Sequence, residues 1–258
     1  MIPDDIFDRR ARRLALARSL ASPDEDKWLI LRMAAELIDR LDAVRSSRRT
    51  ALVIGHFSDH LMRTLIERNI DTRFASPDDI SAKAASGVQC DEDRLPFADC
   101  QFDLVIALST LDTVNDLPGA LTLIRRTLKP DGVFLGAMIG SGSLPALRRA
   151  IVDASSGETA AARTHPMVEV RAAGDLLARA GFALPVADAD TIEVHYSRPE
   201  RLLADIRANG LSNTLQSRMR FSRRGSDQLI QRLSATPLIE HFSIIYLTGW
   251  SPTAGSSE

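Results

Sequence analysis

Cysteine is nearly absent: Cys90 and Cys100 are the only two in the chain. Their spacing fits neither a metal-ligand nor a redox motif, which excludes a disulfide framework and a thiolate metal site. They are expected to be buried or half-buried free thiols in a reducing compartment. Long apolar runs are missing too. None approaches the length of a membrane span, and the N-terminus has no apolar signal-peptide core. Asp4, Asp5 and Asp8 argue against an organelle-targeting peptide, which is poor in acidic residues. Charge of one sign is not in excess. The formal net charge is −2, so no global field draws the molecule to nucleic acid. Internal repeats and low-complexity segments are lacking. A cytoplasmic protein is the expectation, with peripheral docking at a membrane left open.

What is present is ordinary for a globular chain. Hydrophobic residues make up 45% and charged residues 26% of the 258 positions, enough for one large domain or a domain with a modest annex. Charge is biased only locally, in "RRARRLALAR" (residues 9–18) and "RMRFSRR" (residues 218–224). Two readings stand for such segments: a solvated helix face, or docking to an acidic partner or anionic lipid headgroups.

Hydrophobic spacing divides the chain further. An arginine-rich helical arm is followed by "DKWLILRMAAELIDRLDAV", where Trp28, Leu31, Ala35, Ile38 and Leu41 fall on one helical face. Ser22-Pro23 reads as its start signal. A strand at 51–55 precedes a helix, short strands at "TRFAS" and "GVQC", and "FDLVIALS", a continuous apolar run of strand length. Asp116 is placed to cap the next helix, with Pro118 in its first turn. In "KPDG", Pro130 presets φ and Gly132 is the residue suited to positive φ. Strand "GVFLGAMIG" follows, then a helix, the polar connection "SSGETAAARTHP", a helix stopped at Gly181, the strand "DTIEVHYS", another glycine-terminated helix and the strand "SIIYLTGW". Strands alternating with helices predict an α/β fold with a mostly parallel sheet covered on both faces. The expected division is a helical arm or cap at 1–48, the main domain at 49–250 and a frayed tail at 251–258.

The stretch "TALVIGHFSDHLMRTL" (residues 50–65) runs from apolar strand to glycine to helix, as nucleotide-binding units do. The Gly-x-Gly-x-x-Gly of a dinucleotide site is absent, which rules against that class. His56 and His60 have metal-ligand spacing but no third ligand, and no Ser-His-Asp order is evident.

From "RLPFADCQFDLVIALSTLDTVNDLPGALTLIRRTLKPDGVFLGAM" (residues 94–138) the sequence resembles a class I S-adenosylmethionine (SAM)-dependent methyltransferase. The likeness runs from about Phe7 to Trp250. The opening "IFDRR", then "VNDLPGAL", "LKPDGVFLGAMIGSGSLPALR", "GLSN" and "YLTGW" resemble more narrowly the methyltransferase-like assembly factors of respiratory complex I. That group is similar in turn to the carrier-protein methyltransferases of biotin synthesis. The resemblance implies a Rossmann-like sheet with an antiparallel last strand, SAM as cofactor, and a role in maturing a complex I subunit. Docking at the inner membrane fits that role. In the mitochondrial member of the group, the chemistry is arginine hydroxylation rather than methyl transfer.

The resemblance also implies site residues: Gly55, His56, Asp78, Asp91, Glu92 and Ser109 around the cofactor. Several positions depart from the pattern. Val53 stands where an acidic residue belongs, and Phe57 and Asp59 replace two glycines that let the backbone approach the cofactor. Asp59 also reads as an N-cap. Ser76 and Pro77 occupy the ribose-binding place, with Asp78 one or two positions late. Asp91 and Glu92 suit the adenine amino group, or form a solvated acidic loop. Asp112 and Thr113 replace a His-Trp pair, and Asp112 is either a general base or a surface aspartate. Two function classes remain: an enzyme of this fold acting on a protein partner, and a pseudoenzyme retained as a binding module.

Overall fold

The computed structural model describes residues 5–44, 48–155, 163–234 and 237–253. The apolar runs become the centre of one sheet because both their faces are covered. Strand β1 (Thr50–Gly55) pairs in parallel with β2 (Asp71–Ser76) and β4 (Phe102–Leu108). Strand β3 (Val88–Gln89) adds to β2, and β5 (Leu128–Ile139) to β4, again in parallel. The last strand, β7 (Leu238–Trp250), runs antiparallel between β5 and β6 (Ala183–Tyr196). The order is β3-β2-β1-β4-β5-β7-β6. Alternate residues serve opposite faces: Ala51 and Val53 enter one apolar cluster, Leu52 and Ile54 the other. The expected sheet, with helices on both faces, is what forms.

Helix α1 (Arg9–Ala21) precedes α2 (Trp28–Ala43). The buried stripe of α2 is rotated from the predicted one. Leu29, Met33, Leu37 and Leu41 face the core, while Leu31 and Ala35 are only half-buried. Nor does α2 start at Ser22-Pro23. Ser22 closes α1, and a single 3-10 turn at Asp24–Asp26 intervenes. The cap of α2 comes from far away. Asn209, at the end of α8 (Pro199–Ala208), accepts the N–H groups of Leu29 and Ile30 at 3.1 and 3.2 Å. Its amide also donates to the carbonyls of Asp26 and Asp205. Helix α6 (Pro145–Asp153) is served likewise by the buried carboxylate of Glu240, which accepts from Leu147 N–H at 2.5 Å. Distant caps leave no signature in the local sequence.

Other local expectations also shift. Helix α3 (Asp59–Glu67) is capped by Ser58; Asp59 is its first residue, exposed and paired with Arg63 at 2.8 Å. Helix α4 (Asp79–Ala84) is capped by Asp78. Helix α5 (Leu117–Thr127) starts as predicted, with Asp116 accepting from Gly119 N–H. At "KPDG" the positive φ belongs to Asp131, at 62°, where the β4–β5 register shifts; Gly132 does not adopt it. Helix α7 (Val170–Arg179) ends before Gly181, which has φ +85°. Cys90 is half-buried, but Cys100 is exposed, against expectation. Most of the polar connection, 156–162, and the end of the tail, 254–258, lie outside the described residues. Among the described residues no helix is long and apolar enough to cross a membrane.

Strand β6 forms one edge of the sheet. Its Asp188 and Asp190 pair with Arg40 and Arg32 of α2, and Glu193 pairs with His195 and His241.

Replacing Asn209 by Ala strands two buried N–H groups at the start of α2. Urea unfolding is expected to show a loss of about 1–3 kcal/mol with an unchanged m-value.

Candidate functional site

The carboxyl ends of β1 and β4 frame a cleft. Gly55 closes β1 with φ +106°, and a Cβ there would lie 2.5 Å from the Leu108 carbonyl and 2.6 Å from Thr110 Cβ. Only glycine allows this turn. The chain then places His56 beside β4. Its backbone N–H donates to Leu108 O at 3.0 Å, and its Nδ1–H to Ser109 O at 2.7 Å. The structure thus brings Gly55, His56 and Ser109 together. The buried Nε2 of His56 has no partner. Burial drives its pKa down to about 4, although the Ser109 carbonyl opposes the fall.

The acidic loop after β3 is met by α1. The guanidinium of Arg12 forks onto Glu92 at 2.6 and 2.8 Å. It also donates to the Thr110 carbonyl at 2.7 Å, the Thr110 hydroxyl at 2.8 Å and the Thr113 hydroxyl at 2.9 Å. The Thr110 hydroxyl in turn donates to Glu92. Arg12 and Glu92 are both buried. Burial works against the Arg12 charge, but the Glu92 carboxylate outweighs it and raises the guanidinium pKa. Around this pair, Arg9 binds Asp93 in the same forked manner at 2.8 and 2.7 Å. Asp91 takes Arg9 and Arg13, each at 3.1 Å. Three arginines of the basic arm, Arg9, Arg12 and Arg13, therefore face the protein, while Arg10 and Arg18 stay exposed. The arm docks on the acidic loop of its own chain.

The remaining expected residues sit as follows. Asp78 is buried and its carboxylate is fully engaged: Oδ1 accepts from Ile80 and Ser81 N–H, and Oδ2 from the Ser76 hydroxyl. Val53 is buried in an apolar cluster, and Phe57 packs edge-on against Phe74 with ring centroids 5.7 Å apart. Asp112 is not a simple surface residue. Its Oδ1 is buried without a partner, and burial pushes its pKa up to about 6. His56 is buried while His60 is exposed, and among the described residues no cluster of metal-ligating side chains forms.

The cleft bounded by Arg12, Leu16, His56, Thr110, Asp112 and Thr113 keeps a volume of only about 10 Å³. That is room for one water, whereas ligand pockets span roughly 300–1,000 Å³. The acceptors expected to hold an adenosine, Asp91 and Glu92, are bonded to arginines. In this conformation those two carboxylates are not free to hold an adenosine, although a separate pocket of about 590 Å³ lies beside Phe57, Ser58 and Asp59. Asp112 also lines a neighbouring, mainly apolar cavity of about 180 Å³, with Ile139, Leu147, Ile206 and Leu229 among its walls. Arg12 and Thr110 are not expected at the site from the sequence, and Thr113 is placed there only as part of the replacement of a His-Trp pair. A signal existed: arginines at 9, 12 and 13 share one helical face, and three consecutive carboxylates at 91–93 complement them.

Comparison with known proteins agrees with the geometry of the fold. A family model described as "Methyltransferase domain" matches residues 55–136. The mitochondrial arginine-hydroxylase NDUFAF5 of Danio rerio is 30% identical over 96% of this chain and 83% of its own length. The Mus musculus protein of the same name is 33% identical over 81% of this chain, which spans 64% of that relative. Among solved structures, the YcgJ protein of Bacillus subtilis superposes with a TM-score of 0.60 at 15% identity, covering 86% of this chain and 99% of that one. A Haemonchus contortus phosphoethanolamine N-methyltransferase in complex with SAM superposes with a TM-score of 0.51 at 15% identity, covering 85% and 52%. The fold is that of class I SAM-dependent methyltransferases.

Arg12→Ala leaves Glu92 buried and unpaired, so unfolding free energy is expected to fall by about 3–5 kcal/mol; the double change Arg12→Met, Glu92→Leu recovers most of it. Asp112 adds a pH dependence. Its folded pKa lies above the unfolded value, so its contribution is fully present below about pH 4 and is lost as pH rises through about 6. Asp112→Asn is therefore expected to be more stable than the natural protein above pH 6, by roughly 1–3 kcal/mol. Urea melts across pH 4–8 should show the difference closing at the acid end.

Proposed function

The chain belongs to the methyltransferase-fold family that contains the arginine hydroxylase NDUFAF5, and from that membership we propose that it helps to mature a protein partner, a subunit of respiratory complex I. It does so by binding the partner at the carboxyl edge of the sheet. The observation that carries this reading is the cleft itself, whose polar groups hold a guanidinium where an adenosine is expected. The fold makes SAM the expected cofactor. Yet Glu92 and Asp91 are bonded to arginines, Asp78 caps a helix, Phe57 stands in the cofactor loop and Val53 in the strand before it. No methyl-transfer step is built into this arrangement, which favours the binding-module reading.

A second reading is cofactor binding after α1 has lifted. One observation favours it: the buried apolar residues of α1, Ala15 and Leu16, belong to neither core cluster. The exposed basic stretch 218–224, with Met219 among its arginines, supports peripheral docking at the inner membrane.

Calorimetric titration with SAM and with S-adenosylhomocysteine separates the two readings. The natural protein is expected to give no binding heat at millimolar ligand. Micromolar binding would overturn the closed-cleft reading. Deletion of the gene in its source cell is expected to lower NADH:ubiquinone activity of the membranes, with recovery on complementation. Unchanged activity would overturn the complex I role.

A further inference from the structure

Helix α6 has two lined sides. Leu147 and Ile151 help to wall the mainly apolar cavity of about 180 Å³ beside the cleft. Ala146, Arg149, Ala150 and Asp153, at three- and four-residue steps, line a second groove instead. Helix α9 (Arg223–Ser234), which packs on α6, contributes Arg232 and Leu233 to it. The start of β7 contributes Leu238 and Ile239. The groove has a volume of about 440 Å³, within the range of small-molecule sites. We propose that it binds a phosphomonoester with an apolar body, the phosphate being held by Arg149 and Arg232.

The positive charge in this groove is uncommitted. Arg9, Arg12, Arg13, Arg32 and Arg40 all reach carboxylates of their own chain. Arg149 and Arg232 are exposed and take part in no hydrogen bond or ion pair among the described residues. They come from different helices, so their meeting is a product of the fold and not of one polar helix face. The carboxylates nearby do not cancel them. Asp153 lies one turn after Arg149, yet no ion pair forms between them; a cation placed before an acid is the weaker order on a helix. Glu240 is buried, and its carboxylate accepts from the N–H groups of Ala146, Leu147 and His241. The start of α6 is therefore already served, and the pull on an anion comes from the arginine side chains.

The walls select the ligand. Two guanidinium groups call for two negative charges, and a phosphomonoester carries about −1.5 to −2 at neutral pH on three acceptor oxygens. A carboxylate brings one charge and fills one guanidinium fork. Ala146, Ala150, Leu233, Pro237 and Leu238 add apolar side chains to the same space, so an apolar group attached to the phosphate displaces water there. Inorganic phosphate gains the charge contacts without that burial. No residue lines both this groove and the cleft at the strand ends, so occupation of the groove requires no movement of α1.

Calorimetric titration of the full chain with phenyl phosphate tests the site. Binding is expected to be about tenfold tighter than that of inorganic phosphate or of benzoate. Arg149→Ala and Arg232→Ala should each weaken it about tenfold, and the double variant should abolish it. Both side chains are exposed, so the Tm of each variant should stay within about 2 °C of the natural value. Arg223→Ala, on α9 but outside the groove, should leave binding unchanged. Equal weakening by Arg223→Ala would mean diffuse surface charge and overturn the site. Absence of phenyl phosphate binding, or binding that survives the double variant, would overturn it as well. Vesicles then distinguish two sources of the phosphate. Cosedimentation with phosphatidylcholine vesicles carrying phosphatidic acid, lost in the double variant, supports the site with a lipid headgroup as its ligand. Phenyl phosphate binding without such cosedimentation supports it with a soluble ester.

Discussion

Two opposite charges taken from water into the end of a parallel sheet must neutralise each other at close range, because either one alone is a large penalty there. Arg12 and Glu92 meet that demand through geometry set by other elements. The glycine turn at Gly55 lets β1 close against Leu108 and Thr110, which puts Thr110 within reach of both partners. The acidic loop follows β3 at the same end of the sheet, and its Glu92 is fully buried. Helix α1 is then drawn across the opening. Its register is decided by which arginine fits the buried carboxylate, and Arg9 and Arg13 fall on Asp93 and Asp91 as a result.

The cleft shows how one scaffold can keep its walls and change its content. A nucleoside site and a guanidinium site both need acidic side chains at strand ends and backbone that approaches closely. The difference lies in where the negative charge is spent. Here the carboxylates of the loop serve an arginine of the same chain, and Asp78, which sequence spacing would lend to a ribose, serves the first turn of α4. The glycine that survives, Gly55, is retained for packing against Thr110, a need that persists whether or not a cofactor is present.

The sheet was legible in the sequence because buried strands are continuous apolar runs and helices keep their period. Boundaries tied to local chemistry were legible too, as at Asp116 and Gly181. What escaped was non-local. Asn209 caps α2 and Glu240 caps α6, each from a distant part of the chain. At the site, Gly55, His56 and Ser109 were found together because strand ends converge by topology. Arg12 was not, since a run of arginines on a helix looks the same whether it faces water or a carboxylate. Only the three acids at 91–93 carried the complementary half of that information.

Strand β6 has a consequence for the molecule in a crowded solution. An unpaired edge of fourteen residues is a template on which a second sheet can grow. Its face toward α2, however, carries Asp188 and Asp190, each paired with an arginine of α2, while Glu193 on the opposite face pairs with His195 and His241. A like strand laid beside it would set carboxylate against carboxylate and compete for the same arginines. The arginines of α2 thus guard the far edge of the sheet from self-association, just as those of α1 fill its open end.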